Sequence, residues 1–491
     1  MSTGGIYQLI ANTGRQDQLL LATELLNKRL KEIKRLRCKN PAIRDKTPTL
    51  VDIERTHILF MNSHFKPFCS IGFEYQNIGV SEGKADFGSQ ATFSIPQFGD
   101  FFADMVVHIT LNNLRVGPTS TQVKYCDFLG ARLLKLVQFE VNGNLLDYYD
   151  SDLYTFHYNF FIAGTNKQMS WNNCFGQENP KLATVTQQPG FDEYREARYI
   201  LDGLQTPKTR HVTADLWIPL MFWFNRDYRL MIPSVSIPYG QRFIKLNFAT
   251  ANEIATGLPT TDFTPPTFAT CELWTNNIFV NPEIHDIFIK RIGFQLIRVH
   301  RYQITPLINS TDYIRLDNLK FPCETFYIGA RPFANIGTME NWYKFSFITD
   351  TTVPFVVVQR NPLPPPTYIL AISNGTWHNA SPILDNFSLE THGVQLYVTT
   401  PVNFYNYYLP YQAAGRIGSP PDIGAYIATF NLFPGELQPS GHINLSNTRE
   451  FYIRYNSSVI TPLVNANLVV YAIAINFLLI SDGSAVLRYN T

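Results

Sequence analysis

Charge is scarce in this chain. Only 16% of its 491 residues are Asp, Glu, Lys or Arg, against about a quarter in an average soluble domain. The 40 basic and 39 acidic residues nearly cancel, leaving a formal net charge of +1. No global field therefore draws in nucleic acid. Cysteine is scarce too. Cys38, Cys69, Cys126, Cys174, Cys271 and Cys323 are scattered, with no C-x-x-C pair. That scatter argues against a zinc site and a dense disulfide framework, and it suits reduced thiols in a cytosolic chain. No apolar run near the start has the form of a signal peptide. The longest apolar stretch, Leu468 to Ile480, is interrupted by Asn476 and is too short to span a bilayer. The expectation is a soluble chain made in the cytosol.

Catalytic signatures are missing as well. There is no G-x-S-x-G elbow and no Gly-rich phosphate loop, and none of the ten histidines sits in an H-E-x-x-H pattern. His57 and His64 are the closest pair. Seven residues apart on a strand, they would lie on opposite faces, which disfavours shared metal ligation. No cofactor and no metal are expected.

What is present is length, aromaticity and strand pattern. A chain of 491 residues is too long for one ordinary core. Residues 1–55 stand apart. Leu19, Ala22, Leu26, Leu30 and Ile33 recur at helical spacing, Asp17 is placed to cap the start, and Pro41 and Pro48 stop the helix. Its end is basic: Lys28, Arg29, Lys31, Lys34, Arg35, Arg37 and Lys39 are opposed only by Glu32. These cations either complement the helix dipole in solvent or form an arm that docks on an acidic partner or anionic membrane face.

From residue 56 the pattern turns to strands. Met105 to Leu111 is apolar and β-branched. Leu136 to Val141 alternates and meets Asn142-Gly143, a strong hairpin signal. Leu216 to Phe224 reads as a dense aromatic strand. Ser234 to Pro238 and Arg242 to Phe248 close a first half, 56–250. Residues 251–275, rich in Thr, Pro and Gly, read as a linker. A second half, 276–491, resumes with strands at 287–297, 394–398, 425–432 and the C-terminal stretch. Asn361 to Pro366 reads as a stiff, exposed loop. Two strand-rich halves predict an all-β chain of two sandwiches. Periodicity leaves jelly roll and immunoglobulin-like topologies both open.

Three clusters are candidates for a site. Asp147, Asp150 and Asp152 could hold calcium, act as a glycosidase carboxylate pair, or form a polar turn after the hairpin. Asp100 and Asp104 pose the same choice, with a loop before a strand as the simpler reading. Trp217, Phe222, Trp223 and Phe224 could stack sugars or bases, but their apolar neighbours point to core filling.

Longer blocks carry a family likeness. They include Leu9-Ile10-Ala11-Asn12, His64-Phe65-Lys66-Pro67, Gly72-Phe73-Glu74-Tyr75, Ile95-Pro96-Gln97-Phe98-Gly99-Asp100-Phe101-Phe102 and Val141-Asn142-Gly143-Asn144. Phe222-Trp223-Phe224-Asn225, Asn281-Pro282-Glu283-Ile284-His285, Leu296-Ile297-Arg298-Val299-His300 and Gln438-Pro439-Ser440-Gly441-His442-Ile443-Asn444 continue it. In this order they resemble the major capsid proteins of nucleocytoplasmic large DNA viruses, that of African swine fever virus in particular. The resemblance implies a double jelly roll, two eight-stranded sandwiches behind an N-terminal arm. It implies a non-enzymatic virion protein, a homotrimer of pseudo-hexagonal outline that packs against neighbouring capsomers in an icosahedral shell, assembled in the host cytoplasm. The basic arm would face inward, toward minor capsid or inner-membrane proteins, with no specific nucleic acid. Short loops after Leu114 and between Cys174 and Trp217 imply a low outer face. The alternative is a carbohydrate- or receptor-binding β-sandwich of the virion, centred on Asp147, Asp150 and Asp152.

Overall fold

A computed structural model describes residues 15–39, 71–184, 197–200, 202–237, 241–281, 284, 293–361, 367–413, 416–461, 464–481 and 484–489. The predicted helix is α1 (Arg15–Lys39). Asp17 lies near the start of its described stretch, and its side chain is outside the described residues. Leu25, Leu26, Leu30, Ile33 and Leu36 are exposed on it.

Alternation builds the first sandwich. Along β3 (Phe101–Val116), Met105, Val107, Ile109 and Leu111 are buried while the residues between them are not, the period-two signature of a strand with one covered face. The other strands are β1 (Ile71–Gly79), β2 (Gln90–Ser94), β4 (Leu134–Val141), β5 (Asn144–Asp150), β6 (Arg210–Pro219), β7 (Arg242–Phe248) and β8 (Thr267–Val280). One antiparallel sheet runs β1-β8-β3-β6 and the other β2-β7-β4-β5. Between β4 and β5, Asn142 and Gly143 take φ of 51° and 79°, the paired positive values that a two-residue hairpin needs.

The second sandwich repeats the order. Its strands are β9 (Gly293–Leu307), β10 (Thr311–Arg315), β11 (Pro322–Pro332), β12 (Asn386–Thr391), β13 (Val394–Pro401), β14 (Ala425–Thr429), β15 (Phe451–Asn456) and β16 (Ala466–Ser481). The sheets run β9-β16-β11-β14 and β10-β15-β12-β13. In both halves, strands one, eight, three and six face strands two, seven, four and five. That is the jelly-roll order, made twice.

Helical turns follow the fifth strand of each roll. In the first they are α2 (Ser151–His157), a π-helical turn at Tyr158–Ile162 and α3 (Gln168–Phe175). In the second they are a π-helical turn at Phe404–Tyr408 and α4 (Leu409–Gln412). A long hairpin, Phe347–Asn361 with Thr367–Ser381, is inserted between β11 and β12. Most of the Pro-rich stretch, 362–366, lies outside the described residues.

Three expectations need correction. The aromatic strand predicted over Leu216 to Phe224 stops at Pro219, which has no N–H to continue the ladder, and Trp223–Arg226 is a helical turn. Ser234 to Pro238 is not a strand: Ser234–Ser236 is a 3₁₀ turn, pinned by the Ser234 amide donating to the Asp100 carbonyl at 2.8 Å. The linker predicted at 251–275 is part of the first roll. Thr250 and Glu253 form a capping box for Ala251–Ile254. Ala255–Leu258 then pairs with Gln122–Tyr125, and Thr267 begins β8. Glycine and threonine there serve tight folding. A Cβ on Gly257 would stand 2.0 Å from the Asp262 carbonyl oxygen. In the second half, the strand predicted from 287 is described from Gly293 onward.

The two rolls share one core. A single contiguous apolar cluster runs from Phe93, Phe139 and Ile244 of the first to Phe326, Ile453 and Val470 of the second. Aromatic rings bridge the seam: Phe156 stacks on Phe345 (centroids 4.6 Å apart), and Phe160 lies 5.3 Å from Tyr327. Strand β11 is buried along its whole length. Its own roll covers one face, where Phe326 meets Phe451, and the first roll covers the other, where Tyr327 meets Phe156. A strand buried on both faces loses its alternation.

Candidate functional site

The acidic cluster lies in this seam. Asp147 points from β5 into the second roll and is fully buried. Its carboxylate accepts from the His300 amide at 2.8 Å and the Tyr148 amide at 3.0 Å. His300 Nδ1 is 2.9 Å away and the Arg301 guanidinium 3.8 Å. Asp150 caps α2 by accepting from the Asp152 amide at 2.8 Å, and the Tyr471 hydroxyl of β16 donates to it. Asp152 meets Arg331 of β11 at 2.6 Å. Each of these three acids has a partner in the second roll.

Electrostatics follow from that enclosure. Burial pushes the Asp150 carboxyl up to about 7, and neighbouring Asp152 adds to the rise. Burial also holds His300 below the ordinary imidazole range, against the pull of Asp147. A neutral imidazole and tied-up carboxylates leave no open face for a cation or a sugar. No cluster of three or more His, Cys, Asp or Glu suited to a metal exists among the described residues. The calcium, glycosidase and polar-turn readings therefore all give way to a bond between domains. The sugar-binding alternative loses the residues on which it was centred.

Other candidates resolve similarly. Asp100 is buried and accepts from the Val280 amide at 2.8 Å, tying the start of β3 to the end of β8. Asp104 accepts from the Tyr75 hydroxyl (2.8 Å), the Tyr228 hydroxyl (2.9 Å) and the Asn276 amide group (2.8 Å). Phe222, Trp223 and Phe224 fill the core. Trp217 differs: it lies on the outer face of β6, stacked on His108 at 4.0 Å, with Asp215 bonded to both rings. His57, His64 and Cys69 fall outside the described residues, and Cys38 lies on α1 with its side chain outside them; Cys126, Cys174, Cys271 and Cys323 are free. On α1, Lys28, Arg29, Lys31 and Arg35 are exposed and Lys34 is half-buried. Arg37 and Lys39 lie in its last turn, and their side chains are outside the described residues.

Sequence reading missed the partners of the acidic cluster: His300, Arg301, Arg331 and Tyr471. Asp147 and His300 are 153 positions apart and Asp150 and Tyr471 are 321 apart, so no local spacing links them.

Comparison with known proteins agrees. Residues 69–281 match the major capsid protein N-terminus family, and residues 279–486 match the large eukaryotic DNA virus major capsid protein family. The hexon protein p72 of African swine fever virus (isolate Tick/Malawi/Lil 20-1/1983) is 32% identical with all of both chains covered. That alignment runs over 657 positions, of which this chain fills 491. The major capsid protein of Paramecium bursaria Chlorella virus 1 is 21% identical over 79% of this chain and 80% of its own. Among solved structures, the Faustovirus major capsid protein superposes with a TM-score of 0.77 at 32% identity, covering 95% of this chain and 100% of that one. A PBCV-1 virus capsid chain, at 16% identity and a TM-score of 0.63 over 88% of this chain and 100% of its own, shares the fold. With both rolls matched and a relative 32% identical along its whole length, this chain belongs to the major capsid proteins of large eukaryotic DNA viruses, structural components of the virion and not enzymes.

Proposed function

We propose that three copies of this chain form a homotrimeric capsomer of pseudo-hexagonal outline, which tiles the icosahedral shell of a large DNA virus. One observation carries the reading: the same eight-strand order occurs twice, fused side by side through one core. Three such chains present six similar rolls around an axis, and a ring of three needs only one heterologous contact that closes. The low charge of 16% suits a chain that buries much surface against copies of itself. Neighbouring capsomers are the further partners, with assembly in the host cytoplasm. Short loops after Leu114 and between Cys174 and Trp217 keep the outer face low. Light scattering of the purified chain is expected to give about three times 56.2 kDa, with hexagonal particles in the same fraction by electron microscopy. A stable monomer would overturn the tile.

The N-terminal arm faces inward in this reading. Lys28, Arg29, Lys31, Lys34, Arg35, Arg37 and Lys39 meet acidic minor capsid proteins or inner-membrane proteins, and the exposed Leu25, Leu26 and Leu30 add apolar contact. Removal of residues 1–40 is expected to leave capsomers intact and to prevent normal shells. Normal shells from the truncated chain, seen by electron microscopy of particles, would remove this role.

A further inference from the structure

A cleft of about 180 Å³ lies in the seam between the two rolls. The segments that follow the sixth strand of each roll wall it: Trp223, Arg226 and Leu230 in the first, Asn431 and Leu437 in the second. Tyr327 of β11 and His157 of α2 also face it. A volume of this size has room for several water molecules.

Charge in the cleft does not balance. Arg298 meets Glu324 at 2.5 Å, Arg229 meets Asp227 at 2.7 Å and Arg416 meets Glu436 at 3.2 Å. These pairs use up the carboxylates that line the cleft. Arg226 is the cation left over. Its guanidinium makes no hydrogen bond or ion pair among the described residues. It is exposed, yet burial lowers its pKa. The two facts fit a side chain ringed by protein whose open surface faces the cleft. The field of Asp147 reaches it, but His300 and Arg301 hold that carboxylate.

Two neutral donors stand near Arg226. Tyr327 is only 5% exposed, and its hydroxyl has no hydrogen-bond partner among the described residues. Burial pushes this phenol up to about 12, and among the charges Arg226 opposes the rise most. The phenol therefore keeps its proton and can donate it. Neither ring nitrogen of His157 has a partner among the described residues. Burial first, and Arg226 next, hold His157 well below the ordinary imidazole range. Its ring is thus neutral, with one N–H to donate.

We infer that this cleft binds a phosphate group, with the Arg226 guanidinium as its charged anchor and the Tyr327 hydroxyl and His157 ring as neutral donors. A surplus cation beside neutral donors suits an oxyanion and repels a metal ion. The groups come from three elements, the turn Trp223–Arg226, β11 and α2. A tetrahedral oxyanion presents oxygens in several directions to meet them, whereas a carboxylate presents its oxygens in one plane. Phe161, Leu230 and Ile473 line the same cleft, an apolar side for the organic body of a small phosphate ester. All of these residues belong to one chain, so binding needs no second copy. Arg226 and His157 belong to the first roll and Tyr327 to the second, so the bound phosphate bridges the two.

Phosphorus NMR of inorganic phosphate with the full chain tests this. The phosphate line is expected to broaden with the wild type and to stay narrow with Arg226→Gln, whose affinity should fall at least about 10-fold. Arg226 is exposed and unpartnered, so this variant should keep the wild-type circular dichroism. Tyr327→Phe removes only the hydroxyl and should weaken binding about 3- to 10-fold. Lys84→Gln, at an exposed ion pair with Asp86, should bind as the wild type does. Phosphate should raise the melting temperature of the wild type and not that of Arg226→Gln, because a ligand held by both rolls favours the folded state. Tighter binding of phenyl phosphate would identify an ester as the occupant, and equal binding would identify free phosphate. No binding of either at about 10 mM, equal binding by Arg226→Gln, or acetate bound as tightly as phosphate would each overturn the inference.

Discussion

Asp147→Ala is expected to lower the stability of the folded chain by about 3–5 kcal/mol, more than any surface change. The physical reason is what the carboxylate leaves behind. Asp147 is fully buried and answers the amide of His300 at 2.8 Å, the His300 ring at 2.9 Å and the Arg301 guanidinium at 3.8 Å. Truncation leaves a buried amide, an imidazole and a cation without their acceptor, and each unmet group costs its desolvation. Asp147→Asn keeps one oxygen for the amide but turns an NH₂ group or a neutral oxygen toward the ring, and should lose less. Denaturant midpoints of the three proteins measure the difference. A loss below about 1 kcal/mol for the alanine variant would mean that the seam does not depend on this residue. The same variant should also open the seam, so protease cleavage between the rolls should quicken.

Asp150→Asn is expected to do the opposite above neutral pH and stabilise the chain. Burial first, and Asp152 second, raise the Asp150 carboxyl from 3.8 to about 7 in the folded state. The folded chain therefore keeps a proton that the unfolded chain has released. Its contribution favours the fold fully below pH 3.8 and is lost as pH climbs toward 7. At about 1.4 kcal/mol per unit, and with the residue half-buried by accessible area though enclosed by neighbours, the loss amounts to roughly 2–4 kcal/mol. Asparagine cannot ionise, still caps α2, and still meets the Tyr471 hydroxyl. Melting temperature followed from pH 4 to 8 should fall for the wild type and fall less for the variant. Asp127, raised to about 6 by burial at the same seam, tilts the wild type in the same direction. A wild-type stability that rises across this range would assign Asp150 to an ordinary ion pair with Arg331.

Much of the architecture is legible in local chemistry. An apolar, β-branched run marks β3, alternation marks β4, Asn142-Gly143 marks the hairpin between β4 and β5, and helical spacing with Pro41 beyond marks α1. The failures share a cause. Residues 251–275 look like a linker because tight backbone approaches, such as that of Gly257 to Asp262, demand the same small residues that flexible linkers use. The strand predicted through Phe224 continues too far because apolar content hides the effect of Pro219. The acidic cluster looks like a site because spacing shows three carboxylates and not the cations that meet them.

The sequence by itself determined the all-β class and the family, because each depends on patterns carried along the chain: alternation and turn residues for the first, long ordered blocks for the second. Only the tertiary structure decided where each side chain ended up. It turned Asp147, Asp150 and Asp152 from a candidate site into the bond between the rolls, and it left Arg226 without a carboxylate in the cleft between them. Burial and pairing depend on residues hundreds of positions apart, and local spacing carries no record of what folds against what.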